Sequence, residues 1–263
     1  MSRITPNVFA DVETLGRVFA ARLLAEMAEA RAAGRSFLLG CPGGRSPKPV
    51  YDAMGEALRQ EQQDLSHVTI VMMDDYLAET RSGLDHVALE SHFSCRRFAR
   101  DDIAAVLNGG LPAPFRIPAE QIWFPDPRDP AAYDSRIAAA GGIDLFILAS
   151  GASDGHVAFN PRGSRLDSRS RIVTLAEETR RDNMRTFPDF RSLDEVPRFG
   201  VTVGIDTIAR HSKQAVMIVW GEGKRLAFAR LTQAHDYDSQ WPASVVSICR
   251  GGEVLADAAA AQI

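Results

Sequence analysis

Cysteine is scarce: the 263 residues hold three, Cys41, Cys95 and Cys249. They are far apart and none stands in Cys-x-x-Cys spacing, which argues against a disulfide framework or a zinc site and predicts a reducing compartment. Long hydrophobic runs are lacking too. No stretch reaches the roughly 18 apolar residues of a membrane helix, and MSRITPNVFADVETLG has no apolar leader segment. No membrane association and a cytoplasmic location are expected. Nor is there an excess of charge, with 30 basic against 34 acidic side chains and a formal net charge of −4. A pI near 5.9 gives no field that would draw nucleic acid or an anionic membrane, so an anionic ligand needs a local site. No Walker A loop and no G-x-G-x-x-G fingerprint occur, which removes the expectation of ATP or NAD. No metal constellation emerges and no internal repeat is present.

What the chain does have is 45% hydrophobic residues, enough for a sizeable core. Val12, Leu15, Val18, Phe19, Leu23 and Met27 recur at helical spacing between Asp11 and Ala33. SFLLG (36–40) is a short apolar run followed by glycine, then by a proline-led helical pattern, PKPVYDAMGEALRQ. Further apolar runs are VTIVMMDDY (68–76), IDLFILAS (143–150) and AVMIVWGEGK (215–224), and SVVSIC (244–249) reads as a last strand. Such runs between helical patterns predict strands buried on both faces of a parallel sheet. The expected fold is α/β: a doubly wound, mostly parallel, Rossmann-like sheet with helices on both faces, in one domain spanning 1–263. The proline-rich segment 109–130 reads as an excursion within it, and the alanine-rich LADAAAAQI as a tail.

In doubly wound sheets ligands bind beyond the carboxyl ends of the strands. Four polar or glycine-rich clusters occupy those ends here: GCPGGRSP, MDDY, SGASDGH and GEGK. Gly43, Gly44, Arg45 and Ser46 precede a helix and could seat an anion, though a plain strand-to-helix turn is the other reading. Asp74 and Asp75 are neighbours on an extended backbone, so at most one enters the cleft. A carboxylate desolvated beside apolar residues is suited to carrying protons. Asp154 and His156 flank a glycine, where the acid could orient an imidazole that moves protons near neutral pH. The other histidines lack such a setting, and His86 is expected at the surface. Arg180, Arg181 and Arg185 in a helical stretch, and Lys224 after the fourth run, are candidates for phosphate contact. Together these pieces describe a phosphorylated small molecule undergoing proton transfer.

In their order along the chain, LGCPGGRSPKPVY, VMMDDY, DGHVAFN, SRSRIVTL, ETRRDNMRTF, VTVGIDTI, WGEGKRLA and PASVVSI resemble the glucosamine-6-phosphate deaminase/isomerase family. That family shares its fold with the 6-phosphogluconolactonases. The resemblance implies that Asp74 moves a proton between C2 and C1 of an open-chain sugar, and that His156 with Asp154 opens the pyranose ring. It places Gly44, Ser46, Arg185 and Lys224 at the sugar phosphate, with no metal or organic cofactor, and puts Arg171 where some relatives bind an effector. The implied reaction turns glucosamine 6-phosphate and water into fructose 6-phosphate and ammonia.

Three departures stand out. Family deaminases carry a glutamate after Ala-Phe-Asn, where this chain has Pro161; Arg45 is more reminiscent of a lactonase loop; and Ala149, Ser150 and Ala152 should narrow the space over a sugar. Lactone hydrolysis, isomerisation of another sugar phosphate and a non-catalytic sensor therefore stay open as alternatives, as does homo-oligomer formation.

Overall fold

The computed structural model describes residues 4–262. Seven parallel strands form the central sheet: β1 (Asn7–Phe9), β2 (Phe37–Cys41), β3 (Val68–Met72), β6 (Ile122–Trp123), β7 (Leu145–Ala149), β10 (Ala215–Val219) and β11 (Gly252–Asp257). Their spatial order is β1-β11-β10-β7-β2-β3-β6. A second, antiparallel sheet is ordered β5-β4-β9-β8, from β4 (Asp74–Thr80), β5 (Gly83–His86), β8 (Arg171–Thr174) and β9 (Phe199–Thr202).

The continuous apolar runs are the central strands because both faces of the sheet are covered. Phe37, Leu39, Leu145, Ile147, Val216 and Ile218 join one core, with residues of α1 (Val12–Ala32) and α2 (Lys48–Glu61). Their alternating neighbours Leu38, Phe146, Leu148 and Met217 join the other. That second core takes Ile137 from α5 (Pro130–Ala139), Ile205 and Ile208 from α7 (Ile205–His211) and Leu231 from α8 (Arg225–Gln233). Local chemistry sets the helix starts. The Asp11 carboxylate accepts from the Thr14 N–H at α1, and Asp129 caps α5 ahead of Pro130. The remaining helices are α3 (Cys95–Phe98), α4 (Ala105–Asn108), α6 (Glu177–Thr186) and α9 (Ala258–Ala261).

Two expectations need correction. The run 68–76 is two strands, not one: it leaves the central sheet at Met73 and enters the antiparallel sheet as β4. Met73 is the joint, its N–H donating to Cys41 and its carbonyl accepting from Val203. SVVSIC is not a strand. Pro242–Ser247 is a 3-10 turn whose Val245 and Val246 are buried, because Pro242 sets a helical φ at its start. The last strand is β11, which lies between β1 and β10 and runs into the alanine-rich tail.

Sheet order also locates the site. After β2 the chain adds β3 and β6 on one side; from β7 onward it builds the other side, so the order reverses between β2 and β7. The crevice beyond that pair is where such sheets bind ligands.

Candidate active site

A cleft of 370 Å³ opens there, lined from all four clusters read in the sequence: Gly44 after β2, Asp74 after β3, His156 after β7 and Lys224 after β10. The size suits a small ligand. Gly43, Arg45, Ser46 and Arg185 line it as well.

The first wall is the loop 42–46. Gly44 has φ +81°, a left-handed conformation that a side chain would strain. The Tyr51 hydroxyl donates to the Pro42 carbonyl at 3.1 Å and the Trp220 indole N–H to the Ser46 carbonyl at 2.9 Å, pinning the loop at both ends.

Asp74 and Asp75 divide as an extended backbone requires. Asp74 lines the cleft yet is only 6% exposed. Burial pushes its carboxyl up to about 7, with the charge of Asp75 adding to the rise and the Cys95 thiol and His156 opposing it. Asp75 is fully buried and accepts from the Cys95 N–H at 2.9 Å, Arg96 Nε at 3.1 Å and His86 Nδ1 at 2.8 Å. His86 is therefore not the surface residue expected; its side chain is 16% exposed and braces Asp75.

His156 Nδ1 lies 2.8 Å from Asp154 Oδ1, which fixes Nδ1 as the donor and leaves Nε2 to exchange protons. Burial would raise the Asp154 carboxyl, but the bonds and charge of His156, with a bond from the Thr179 hydroxyl, carry it down to about 2. Asp154 stays ionised beside the imidazole. Gly151 makes room for the pair: a Cβ there would fall 2.1 Å from Asp154 Oδ1 and 2.3 Å from His156 Nδ1. Ala149, Ser150 and Ala152 do line the cleft, as expected, and the Ser150 hydroxyl turns to the Gly151 carbonyl.

At the cationic end, Lys224 Nζ donates to the Ser150 carbonyl, and desolvation lowers the ammonium's pKa. Arg185 is largely exposed. Arg180 and Arg181 do not line the cleft: Arg180 donates to the Leu193 and Val196 carbonyls, and Arg181 pairs with Glu177. Arg171 donates to Asn160 Oδ1 at 2.9 Å and Ser164 Oγ at 3.2 Å, and neither it nor Pro161 lines the cleft.

Several lining residues went unread in the sequence. Cys95 donates its thiol to Asp74 at 3.4 Å, and Phe98, Phe159 and Phe187 supply apolar wall. Asp182 and Asn183 come from α6, the Nδ2 of Asn183 buried without a hydrogen-bond partner among the described residues. The 179, 182, 183, 186 spacing on one helix face was the available signal. Asp154, His156 and Asp182 each bring a donor atom within 4.8 Å of the others.

The glucosamine-6-phosphate deaminase of Shouchella clausii (strain KSM-K16) is 32% identical over 234 residues, covering 86% of this chain and 85% of the relative. That of Streptomyces avermitilis is 35% identical, covering 98% and 90%. A structure of a monomeric glucosamine-6-phosphate deaminase superposes with a TM-score of 0.81 at 24% identity, covering 97% of this chain and 98% of that one. The 6-phosphogluconolactonase of Thermotoga maritima reaches 0.64 at 18%, covering 96% and 98%. These two structures share the fold. The sequence model for glucosamine-6-phosphate isomerases/6-phosphogluconolactonase matches residues 10–255. With that match spanning nearly the whole chain, the protein belongs to the glucosamine-6-phosphate isomerase/6-phosphogluconolactonase family.

Proposed function

We propose that this protein is an enzyme that converts glucosamine 6-phosphate and water to fructose 6-phosphate and ammonia, as its curated relatives are named for doing. One observation carries the reading: Asp74, a buried carboxyl pushed up to about 7, lines the same cleft as His156, whose imidazole Asp154 holds from behind. A base poised near neutral pH is what proton removal from carbon requires, whereas lactone hydrolysis needs only a group such as His156 to activate water and no base acting on carbon.

The sugar phosphate would lie against Gly43, Gly44, Arg45 and Ser46, with Arg185 and Lys224 supplying positive charge. The Nδ2 of Asn183, unpartnered among the described residues, is a donor for a ligand oxygen. His156, held by Asp154, moves a proton at the sugar oxygens of C1 so that the ring opens to the aldehyde. Asp74 then takes the C2 proton and returns it to C1, while a proton leaves nitrogen and O1 gains one, so that C1 becomes a hydroxymethyl group and C2 an imine. Water adds there and ammonia leaves, giving the ketone. Acid-base groups and positioning suffice for every step. The three buried free thiols support a reducing compartment, the cytoplasm, and residues 1–263 read as one domain of this type. Among the described residues no helix is long and apolar enough to cross a membrane.

Hydrolysis of a sugar-phosphate lactone is the second reading, favoured by Arg45 in the cleft and by Pro161. Ammonia and fructose 6-phosphate release from glucosamine 6-phosphate, measured beside hydrolysis of 6-phosphogluconolactone, separates the two. The deaminase reading expects ammonia release that is lost in Asp74→Asn and His156→Ala. Lactone turnover surviving in Asp74→Asn, with no ammonia from the unaltered protein, selects the second. Thermal stabilisation by sugar phosphates without either turnover indicates a sensor or another substrate.

A further inference from the structure

Opening a pyranose ring needs two proton movements at oxygens bonded to one carbon. The C1–O5 bond breaks with its electron pair going to O5, which takes up a proton, while the hydroxyl O1 gives up a proton and forms the C1=O1 double bond. No other reactant enters and the proton count balances. His156 can serve one oxygen. Asp154 cannot serve the other, because its carboxylate is 2% exposed, does not line the cleft and is committed to His156 and Thr179. Pro161, next along the loop after Asn160, has no ionisable group.

We propose that Asp182 is the second proton carrier of ring opening, paired with His156 across the anomeric carbon. The inference rests on the deaminase reading of this cleft. Asp182 lines the cleft, and a carboxylate oxygen of it lies within 4.8 Å of a ring nitrogen of His156. Two groups at that separation can each approach to about 3 Å from one of two oxygens sharing a carbon. Its helix is also tied to the dyad one turn earlier, where the Thr179 hydroxyl donates to Asp154 at 3.1 Å.

The Asp182 carboxylate is otherwise loosely engaged. Oδ2 accepts from the Ala152 N–H at 3.4 Å, and Oδ1 stands 3.9 Å from Arg185 Nη1, beyond hydrogen-bond reach. Its lone pairs are open to a ligand in a way that those of Asp154 are not. The helper carboxylate thus comes from α6, placed beside His156 by the packing of that helix over the loop after β7.

The test uses the full chain with Asp182→Asn, Asp182→Glu and Asp74→Asn. Anomer exchange of glucose 6-phosphate, followed by NMR, needs ring opening but no chemistry at C2. Binding of glucitol 6-phosphate, which has no ring, reads phosphate and hydroxyl contacts alone. Asp182→Asn is expected to lose about a hundredfold or more in both anomer exchange and ammonia release while binding glucitol 6-phosphate normally. Asp182→Glu should recover most of that loss, and Asp74→Asn should lose ammonia release but keep anomer exchange. Full-rate anomer exchange in Asp182→Asn overturns the proposal. So does a loss matched by weakened glucitol 6-phosphate binding, which would mean that Asp182 merely orients Arg185. If the unaltered protein exchanges anomers through Asp182 yet releases no ammonia, the deaminase reading falls and the role of Asp182 stands. If it does neither, both fall.

Discussion

The Cys95 thiol donates to the Asp74 carboxylate across 3.4 Å, and it is the only side-chain hydrogen bond that Asp74 makes among the described residues. Burial, with the charges of Asp74 and Asp75, holds the Cys95 thiol well above its usual range, so sulfur keeps its proton and donates. A thiol is a weak donor. It stabilises the Asp74 carboxylate a little and leaves burial to hold the carboxyl near 7.

Substitution at Cys95 should therefore move the pH profile in two directions. A serine hydroxyl donates more strongly and favours the charged carboxylate, so Cys95→Ser should shift the acid limb of kcat/KM to lower pH. Cys95→Ala removes the donor and should shift it to higher pH, each by about one unit. Asp75, His156, Tyr76 and Tyr133 also act on or feel this carboxylate and are unchanged in both variants. Limbs that coincide in the two variants would show that the thiol does not tune Asp74.

Asp74 should also cost stability. Its folded pKa lies above the ordinary value of 3.8, so the folded state is favoured below that value and loses stability as pH rises through about 7. Asp74→Asn removes the titration. In urea denaturation the variant should gain on the unaltered protein as pH rises from 4 to 8, by on the order of 3 kcal/mol at the upper end. A constant difference across that range would refute the raised pKa.

Gly151→Ala should disable the dyad while sparing the fold. The added Cβ, 2.1 Å from Asp154 Oδ1 and 2.3 Å from His156 Nδ1, forces the acid-imidazole pair apart. Activity should fall by about a hundredfold or more, with a stability cost of about 1–3 kcal/mol. Unchanged kcat with a native circular dichroism spectrum would contradict the geometry.

Arg185→Ala and Lys224→Met should each raise KM for the sugar phosphate more than they lower kcat. Salt distinguishes them. The exposed Arg185 is screened by added salt, whereas Lys224 is largely shielded, so rising ionic strength should shrink the Arg185 effect more. Equal salt dependence would place both cations in solvent.

Much of the frame could be read from local pattern. β2, β3, β7 and β10 announced themselves as continuous apolar runs because both faces of a parallel sheet are buried, and their polar ends marked the cleft. Asp74 and the Asp154–His156 pair stood out because each follows such a run. The antiparallel sheet did not, since β4 continues the apolar run of β3 without a turn residue and the break at Met73 has no local signature. Pro242 was the missed signal in SVVSIC: it starts a helical turn whose valines are apolar for the core, not for a ladder.

The sequence by itself determined which residues could do chemistry, because side-chain types and strand ends are local properties. Only the tertiary structure decided which of them meet. Cys95 reaches Asp74 and Asp182 reaches His156 because the sheet reverses its order between β2 and β7, and α3 and α6 close over that crevice. Those contacts are distances between separate elements, set by how buried faces pack, and no spacing along one chain segment encodes them.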